Sequence, residues 1–292
     1  MAVHAHILHN RSIRPAAEAG LYAGQLGLLA GWGVFTTLRV SDSVPFAWER
    51  HWARMSRDAK ALNVAMPTSA AELEGDLLRL IQANGRPACT LRLAIVRNGG
   101  GLWEGPHGDT READTIALTA DSKQWGAGVR LDVTPDARFA ACEFAGAKVL
   151  SWCQNLTWAE RAQRKGFDET VLLNERGTVA ECTSANIFAI SGHEVVTPPL
   201  ADGCLPGITR EVLLNEIRID GIRIGERSLT LEDLYRCDGA FITSTTRDLL
   251  PIFEIAGKRL GRDSEVTERL SAAFRSFAAL DIAGRKPVAT MS

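Results

Sequence analysis

Residues 166–173 read Gly-Phe-Asp-Glu-Thr-Val-Leu-Leu, and residues 179–188 read Val-Ala-Glu-Cys-Thr-Ser-Ala-Asn-Ile-Phe. The runs 169–173 and 186–190 are short, apolar and β-branched without helical spacing, which predicts two strands. Glu181 stands between these apolar segments. A carboxylate in such a connection is ordinarily a solvated turn residue, but the apolar flanks also suit a buried, anchored acid.

Upstream, residues 3–9 alternate as a strand does, and residues 34–40 form a second strand-like run after Gly31 and Gly33, giving one sheet. Trp48, Trp52, Met55, Ala59 and Leu62 recur every three or four positions, the spacing of one helix face, with Arg54 near that helix's start. Leu73, Leu77, Leu80 and Ile81 mark another helix ended by Asn84-Gly85, and strands follow at 89–96 and 115–118. The polar stretch 121–128 carries two glycines and precedes a strand at 129–133, which predicts a boundary between domains 1–120 and 127–292. Downstream, helices are expected at 151–165, from Ile208, and at 264–279, with strands near Ile222 and Phe241. Strands and helices are mixed rather than strictly alternating, which argues for a mixed α/β (α+β) chain against a Rossmann sheet.

With 292 residues, 46% of them hydrophobic and 23% charged, the chain can bury one or two cores. Its formal net charge is −2 and it has no long basic block, so no nucleic-acid footprint is present; small molecules or a second copy are the expected partners. The six cysteines form no CxxC pair, which suggests neither a zinc cluster nor a disulfide framework and fits a reducing compartment. The opening MAVHAHILHN lacks a basic region followed by an apolar run, and no stretch reaches 18 apolar residues. A cytoplasmic protein, neither membrane-bound nor exported, is the expectation. His4 and His6 share a strand face without a nearby Cys, Asp or Glu cluster, so no metal is expected, and Gly99–Gly101 lack the Lys-Ser or Lys-Thr of a phosphate-binding P-loop.

Six lysines occur, and Lys148 differs from the other five, because Phe-Ala-Gly-Ala precedes it and Val-Leu-Ser-Trp follows it. Desolvation favours a neutral amine, the form needed for Schiff-base chemistry, although the same context also fits a lysine snorkelling from a strand end. Leu205-Pro206-Gly207-Ile208-Thr209-Arg210 reads as a glycine turn opening a helix, where free amides and the Thr209 hydroxyl could hold a phosphate or simply cap the helix. Thr243-Ser244-Thr245-Thr246 offers a second row of hydroxyls in what is otherwise an ordinary turn.

Taken in chain order, these segments resemble the fold-type-IV pyridoxal-phosphate enzymes, the class IV aminotransferase group. His51-Trp-Ala-Arg54-Met-Ser-Arg-Asp-Ala-Lys-Ala-Leu62 is similar to that family's H-x-x-R-[LM]-x-x-S-A-x-x-L helix, with Asp58 in place of the serine. Gly166–Glu169 and Glu181–Phe188 resemble its G-[YFA]-D-E and E-x-x-x-x-N-[ILV]-F segments. The resemblance implies two α/β domains with pyridoxal 5′-phosphate in the cleft between them, and a homodimer. It implies that Lys148 carries the cofactor as a Schiff base and acts as the catalytic base. By the same resemblance Glu181 faces the pyridine nitrogen, and Arg54, Ile208, Thr209 and Thr245 hold the phosphate. Phe35, Thr37, Arg97 and Thr246 are candidate substrate contacts.

Departures from the pattern bear on the reaction. The R-x-H carboxylate trap of D-amino-acid aminotransferases is missing from Arg97-Asn-Gly-Gly-Gly-Leu-Trp-Glu104, which argues against that specificity. Branched-chain aminotransferases have F-E-G-[IL]-R where this chain has Phe35-Thr36-Thr37-Leu38-Arg39, and a tyrosine shortly after the lysine; neither Tyr22 nor Tyr235 follows Lys148 in that way. Phe35-Thr36-Thr37, the three glycines and Glu181-Cys182 are similar to aminodeoxychorismate lyases, which eliminate pyruvate to give 4-aminobenzoate. Leu205–Arg210 and Ser244-Thr-Thr-Arg-Asp-Leu-Leu-Pro251 look like the transaminase branch, and an aminotransferase is the reading taken, with the lyase and a catalytically inert binding protein as alternatives.

Overall fold

A computed structural model describes residues 2–101, 111–261 and 264–285, and the chain divides into two compact units. Unit 1 comprises Met1–Lys123, Lys148–Trp152 and Ala278–Ser292; unit 2 comprises Gln124–Ala147 and Cys153–Phe277. The return of Lys148–Trp152 to unit 1 leaves no mark in the hydrophobic pattern, because five residues are too few to show a period. Leu102–Glu104, from the stretch compared with the carboxylate trap, lie outside the described residues.

Unit 1 is a six-stranded sheet carrying helices. Its strands are β1 (Val3–His9), β2 (Ser12–Pro15), β3 (Gly33–Ser41), β4 (Val44–Pro45), β5 (Cys89–Arg97) and β6 (Ala113–Ala120), in spatial order β2-β1-β6-β5-β3-β4. Short α1 (Leu26–Ala30), then α2 (Trp48–Ala61) and α3 (Ala70–Asn84), complete it. On β3 the residues alternate between the two faces. Val34, Leu38 and Val40 join Trp48, Met55 and Ala59 of α2 in the core, and Phe35, Thr37 and Arg39 take the opposite face. Helix α2 buries Trp48, His51, Arg54, Met55, Asp58 and Ala59, a stripe with the spacing read from the sequence but with three polar members. Arg54 sits in its middle rather than near its start. Helix α3 begins at a Ser69 cap that accepts the Glu72 N–H at 3.2 Å and stops at Gly85, whose φ of 60° suits glycine.

Unit 2 holds β7 (Val129–Arg138), β8 (Glu169–Asn174), β9 (Val179–Cys182), β10 (Asn186–Ser191), β11 (Glu194–Thr197), β12 (Arg223–Glu226), β13 (Gly239–Ser244), β14 (Asp248–Ile255) and β15 (Lys258–Arg259). They form one sheet in the order β12-β11-β10-β13-β14-β7-β8-β9, with β15 on β14. The β14–β7, β7–β8 and β11–β12 pairs are parallel, the rest antiparallel. Helices α4 (Cys153–Arg164), α5 (Ile208–Asn215) and α6 (Leu231–Arg236) belong to this unit, and α7 (Ser264–Arg285) passes into unit 1 at Ala278. The mixed α/β character expected from the sequence holds. Among the described residues no helix is long and apolar enough to cross a membrane.

Candidate active site

In unit 1 the segment around Lys148 lies along β3. Phe35 N donates to Lys148 O at 3.1 Å, Leu150 N donates to Gly33 O at 2.9 Å, and Val34 bridges Val149. Gly33 is required for this approach, because a Cβ there would meet Leu150 Cδ1 and Ile95 O, each at 2.5 Å. From the other side the Lys148 backbone N–H donates to Asp58 Oδ2 of α2 at 3.0 Å. The Lys148 side chain turns to the Phe35 face of β3, with Nζ 4.5 Å from the Phe35 ring centre and 5.4 Å from that of Trp152. Phe35 and Trp152 meet edge to face at 5.7 Å.

Arg92 of β5 reaches the same rings, 4.0 Å from Phe35 and 5.8 Å from Trp152, and burial pulls its guanidinium below the ordinary value. The Lys148 amine and the Arg92 guanidinium thus share one aromatic surface. Thr37 pairs with Arg92 in the β3–β5 register and is half-buried on the face that carries Phe35. Arg97 is engaged elsewhere: its Nε donates to Gly99 O at 2.8 Å, its Nη1 to Asn63 O at 2.9 Å, and it lies 4.1 Å over Trp32.

On the α2 side, Arg54 Nη2 donates to Thr36 Oγ1 at 2.9 Å, and the same hydroxyl lies 2.6 Å from His51 Nδ1. Thr36 and His51 are fully buried, and Arg54 is 7% exposed. Burial, then the charges of Arg54 and Lys148, hold the His51 imidazole well below its ordinary range, so it is neutral at pH 7. Its Nε2 is buried without a hydrogen-bond partner.

In unit 2, Glu181 ends up buried and anchored. Its Oε1 accepts from Arg138 Nε at 3.0 Å and its Oε2 from the Leu205 N–H at 3.0 Å. Arg138 in turn donates to Asn155 Oδ1 at 3.3 Å and lies over Trp158. Next to Glu181, Cys182 is buried, and burial pushes its thiol well up, so it stays protonated.

The Leu205 amide that Glu181 holds leads directly into α5. Gly207 caps that helix without a side chain, and a Cβ there would meet Asn186 Oδ1 at 2.0 Å. Glu211 N is the amide that bonds back to Gly207 O, at 2.9 Å, so Ile208, Thr209 and Arg210 have no acceptor inside the helix. Thr209 is 1% exposed, and its hydroxyl has no hydrogen-bond partner. A buried, unpartnered hydroxyl at a helix N-terminus fits a phosphate group, which such a terminus binds through amides and dipole.

Thr245 and Thr246 lie in the turn between β13 and β14, half-buried. Arg247 fastens that turn, donating to Ser184 O at 3.0 Å and Ser184 Oγ at 2.9 Å and stacking on Trp125 at 4.1 Å. Glu169 completes the network by accepting from Ser184 Oγ at 2.7 Å and from the Thr183 hydroxyl. The Trp125 indole donates to Thr246 O at 2.8 Å.

Of the residues singled out in the sequence, unit 1 gathers Phe35, Lys148 and, across β3, Arg54; unit 2 strings Glu181 to Ile208 and Thr209. Residues that sequence reasoning passed over are Thr36, Asp58, Arg92, Arg138 and the Glu169–Arg247 network. Asp58 and Thr36 left a signal as departures from the family pattern, and Glu169 and Arg247 fell inside segments that resemble it; Arg92 and Arg138 left none.

The sequence profile described as "Amino-transferase class IV" matches residues 33–255. A Methanocaldococcus jannaschii protein provisionally named a branched-chain-amino-acid aminotransferase is 31% identical over 256 residues, 86% of this chain and 88% of the relative. A solved branched-chain aminotransferase from Thermoproteus uzoniensis, with norvaline, superposes with a TM-score of 0.85 at 26% identity, covering 96% of each chain. The T.th. branched-chain aminotransferase complexed with N-(5′-phosphopyridoxyl)-L-glutamate gives 0.84 at 25%, covering 97% of this chain and 96% of that one. A Legionella pneumophila protein provisionally named 4-amino-4-deoxychorismate lyase gives 0.81 at 22%, covering 91% and 97%, a likeness of fold alone.

Proposed function

The chain belongs to the class IV aminotransferase family, and from that premise we propose that it uses pyridoxal 5′-phosphate to exchange an amino group between an amino acid or amine and a 2-keto acid. The observation that carries this reading is the family match over residues 33–255, with transaminase relatives along nearly the whole chain. The unpartnered Thr209 hydroxyl at the open end of α5 supports the cofactor from the geometry.

In this reading Arg54, the Ile208 and Thr209 amides, the Thr209 hydroxyl and Thr245 hold the phosphate. Lys148 Nζ carries the cofactor covalently. When bound, the cofactor supplies an electron-withdrawing ring that stabilises negative charge at the carbon that loses its proton. Glu181, held in place by Arg138 and the Leu205 amide, supplies the negative charge that the ring nitrogen needs. With its amine free, Lys148 would move the substrate's α-proton as general base and then as general acid. Phe35 and Trp152 wall the amine on one side and limit water around it. Phe35, Thr37, Arg97 and Thr246 remain the proposed substrate contacts, although the bonds Arg97 makes to Gly99 and Asn63 favour a role in shaping the adjoining turn. A homodimer is proposed as well, and the exposed Phe139, Phe144 and Leu156 support it, being large apolar side chains in need of cover.

The experiment is a half-reaction. A suitable amino acid alone should bleach the visible absorbance of the loaded protein, and a keto acid should restore it, as ping-pong transfer requires. The lyase alternative is favoured by one observation, the Thr37 hydroxyl on the face of β3 that carries Phe35. If aminodeoxychorismate gives 4-aminobenzoate and pyruvate, no amino acid bleaches the absorbance, and Thr37→Ala abolishes turnover, the lyase reading replaces the transaminase one.

A further inference from the structure

We infer that Asp58 is a positioning residue for Lys148: its buried carboxylate accepts the Lys148 backbone N–H and fixes the lysine's peptide against the helix that carries Arg54. The bond is 3.0 Å long and joins residues 90 positions apart. Asp58 is 2% exposed, and its other oxygen, Oδ1, accepts from Arg57 Nε at 3.0 Å. On the opposite side the Lys148 carbonyl accepts from Phe35 N. Both backbone polar groups of Lys148 are therefore taken, one by α2 and one by β3, while its side chain lies over Phe35 and Trp152.

Chemistry explains why a carboxylate would do this. A backbone N–H bonded to an ionised acceptor makes a hydrogen bond about twice as strong as a neutral one. Burying that charge is costly even with the Arg57 guanidinium paired to its Oδ1, so stability alone is a poor reason for placing it there. The helix pattern that this chain resembles has serine at the position, a weaker acceptor on a shorter side chain. His51, Arg54 and Asp58 are spaced i, i+3 and i+7, one above another on a single helix face. A rigid helix thereby sets the distance between Arg54 and the Lys148 peptide, and Lys148 cannot shift along β3 without breaking the Asp58 bond.

The inference rests on the reading of Lys148 as the lysine that carries the cofactor, and its test separates the two. Wild type, Asp58→Ala and Asp58→Asn are loaded with pyridoxal phosphate, and the amino-acid half-reaction is followed by stopped-flow absorbance. A displacement of about 1 Å at a reacting group can cost about 100-fold. Asp58→Ala should therefore slow the half-reaction roughly 10- to 100-fold while the amino-acid concentration at half-maximal rate moves by less than about threefold, since a misplaced lysine impairs the proton transfer rather than substrate binding. Asp58→Asn keeps an oxygen acceptor without the charge and should fall between wild type and Asp58→Ala. Wild-type rates in Asp58→Ala, or an Asp58→Asn as slow as Asp58→Ala, would overturn the inference. Amide hydrogen exchange on wild-type protein without cofactor gives a readout that needs no variant to fold: the Lys148 N–H should be protected, and exchange as fast as in an unstructured peptide overturns the inference. Borohydride reduction of loaded wild type followed by peptide mapping judges the underlying reading; label on another lysine removes that reading, whereas label on Lys148 with unprotected exchange removes only the role of Asp58.

Discussion

Replacing Thr209 with valine should move two quantities in opposite directions. The hydroxyl is buried in a residue 1% exposed and has no hydrogen-bond partner. Mutational measurements put the cost of such a group at about 1–3 kcal/mol. Valine has nearly the same shape and the same β-branching, so it fills the site without a cavity and without the unpaired oxygen. Thr209→Val should therefore raise the stability of the cofactor-free protein by about 1 kcal/mol or slightly more. The same hydroxyl is assigned to the phosphate, and a hydrogen bond to a charged group contributes about 1.5–3 kcal/mol, which makes the expected loss of cofactor affinity roughly 10- to 100-fold. Urea unfolding of the cofactor-free proteins gives the first quantity, and absorbance titration with pyridoxal phosphate gives the second. Added cofactor should reverse the order of stability, because a ligand stabilises the folded state in proportion to the logarithm of its concentration over Kd. A variant that is less stable without cofactor, or one whose Kd is unchanged, would refute the reasoning.

Two other perturbations test the α2 side of β3 and the phosphate assignment. Arg54→Ala should weaken cofactor binding more than Thr245→Ala does, since charge-assisted hydrogen bonds are about twice as strong as neutral ones; equal and negligible losses in the same titration would place the phosphate elsewhere. His51 predicts a pH dependence of stability with a definite sign: its folded pKa is depressed below the unfolded value of about 6.5, so its contribution is fully present above that pH and is lost as pH falls, because the unfolded chain takes up a proton that the folded one refuses. The stability difference between wild type and His51→Asn should shift against wild type by up to about 2 kcal/mol between pH 8 and pH 5, and a difference that is flat with pH would mean the imidazole is not held neutral.

Much of the fold was legible because its signals are local. Helix α2, strand β3 and strands β8 and β10 follow from patterns over stretches no longer than the one from Trp48 to Leu62, and their buried residues match the pattern. Strand β14 was not legible, because Pro251 within Asp248–Ile255 argues against a strand. In the structure Pro251 is in register with Phe241 of β13, and parallel pairing with β7 begins at Ile252, one residue later. Four-residue β9 is too short to show a period, and its Glu181 reads equally as a turn acid until Arg138, 43 positions upstream, is seen to pair with it. Partners brought together only by the fold, Asp58 with Lys148 or Glu169 with the Thr183–Ser184 loop and Arg247, leave no trace in any window of sequence.

The buried polar residues around β3, those read from the sequence and those that were not, together make the strongest case for a site. Around β3, unit 1 buries or half-buries Thr36, His51, Arg54, Asp58, Arg92 and Lys148, five of them ionisable, beside the apolar cluster of Val34, Leu38, Val40, Trp48 and Met55. Each such group costs desolvation energy that an apolar side chain of equal volume would not, and replacing buried charges with apolar residues is often neutral or stabilising. A chain selected for stability alone would have continued the Val34–Leu38–Val40 stripe through position 36 and kept α2 apolar where it faces the sheet. Instead that stripe is broken by Thr36, and α2 answers it with His51 and Arg54. The Asp58 carboxylate, one turn further along, is spent on the peptide of Lys148. Concentrated departures of this kind are what a reacting site imposes on a fold. All but Lys148 lie on one sheet and one helix, and the Lys148 peptide is bonded to both, so the position of the lysine is set by rigid elements.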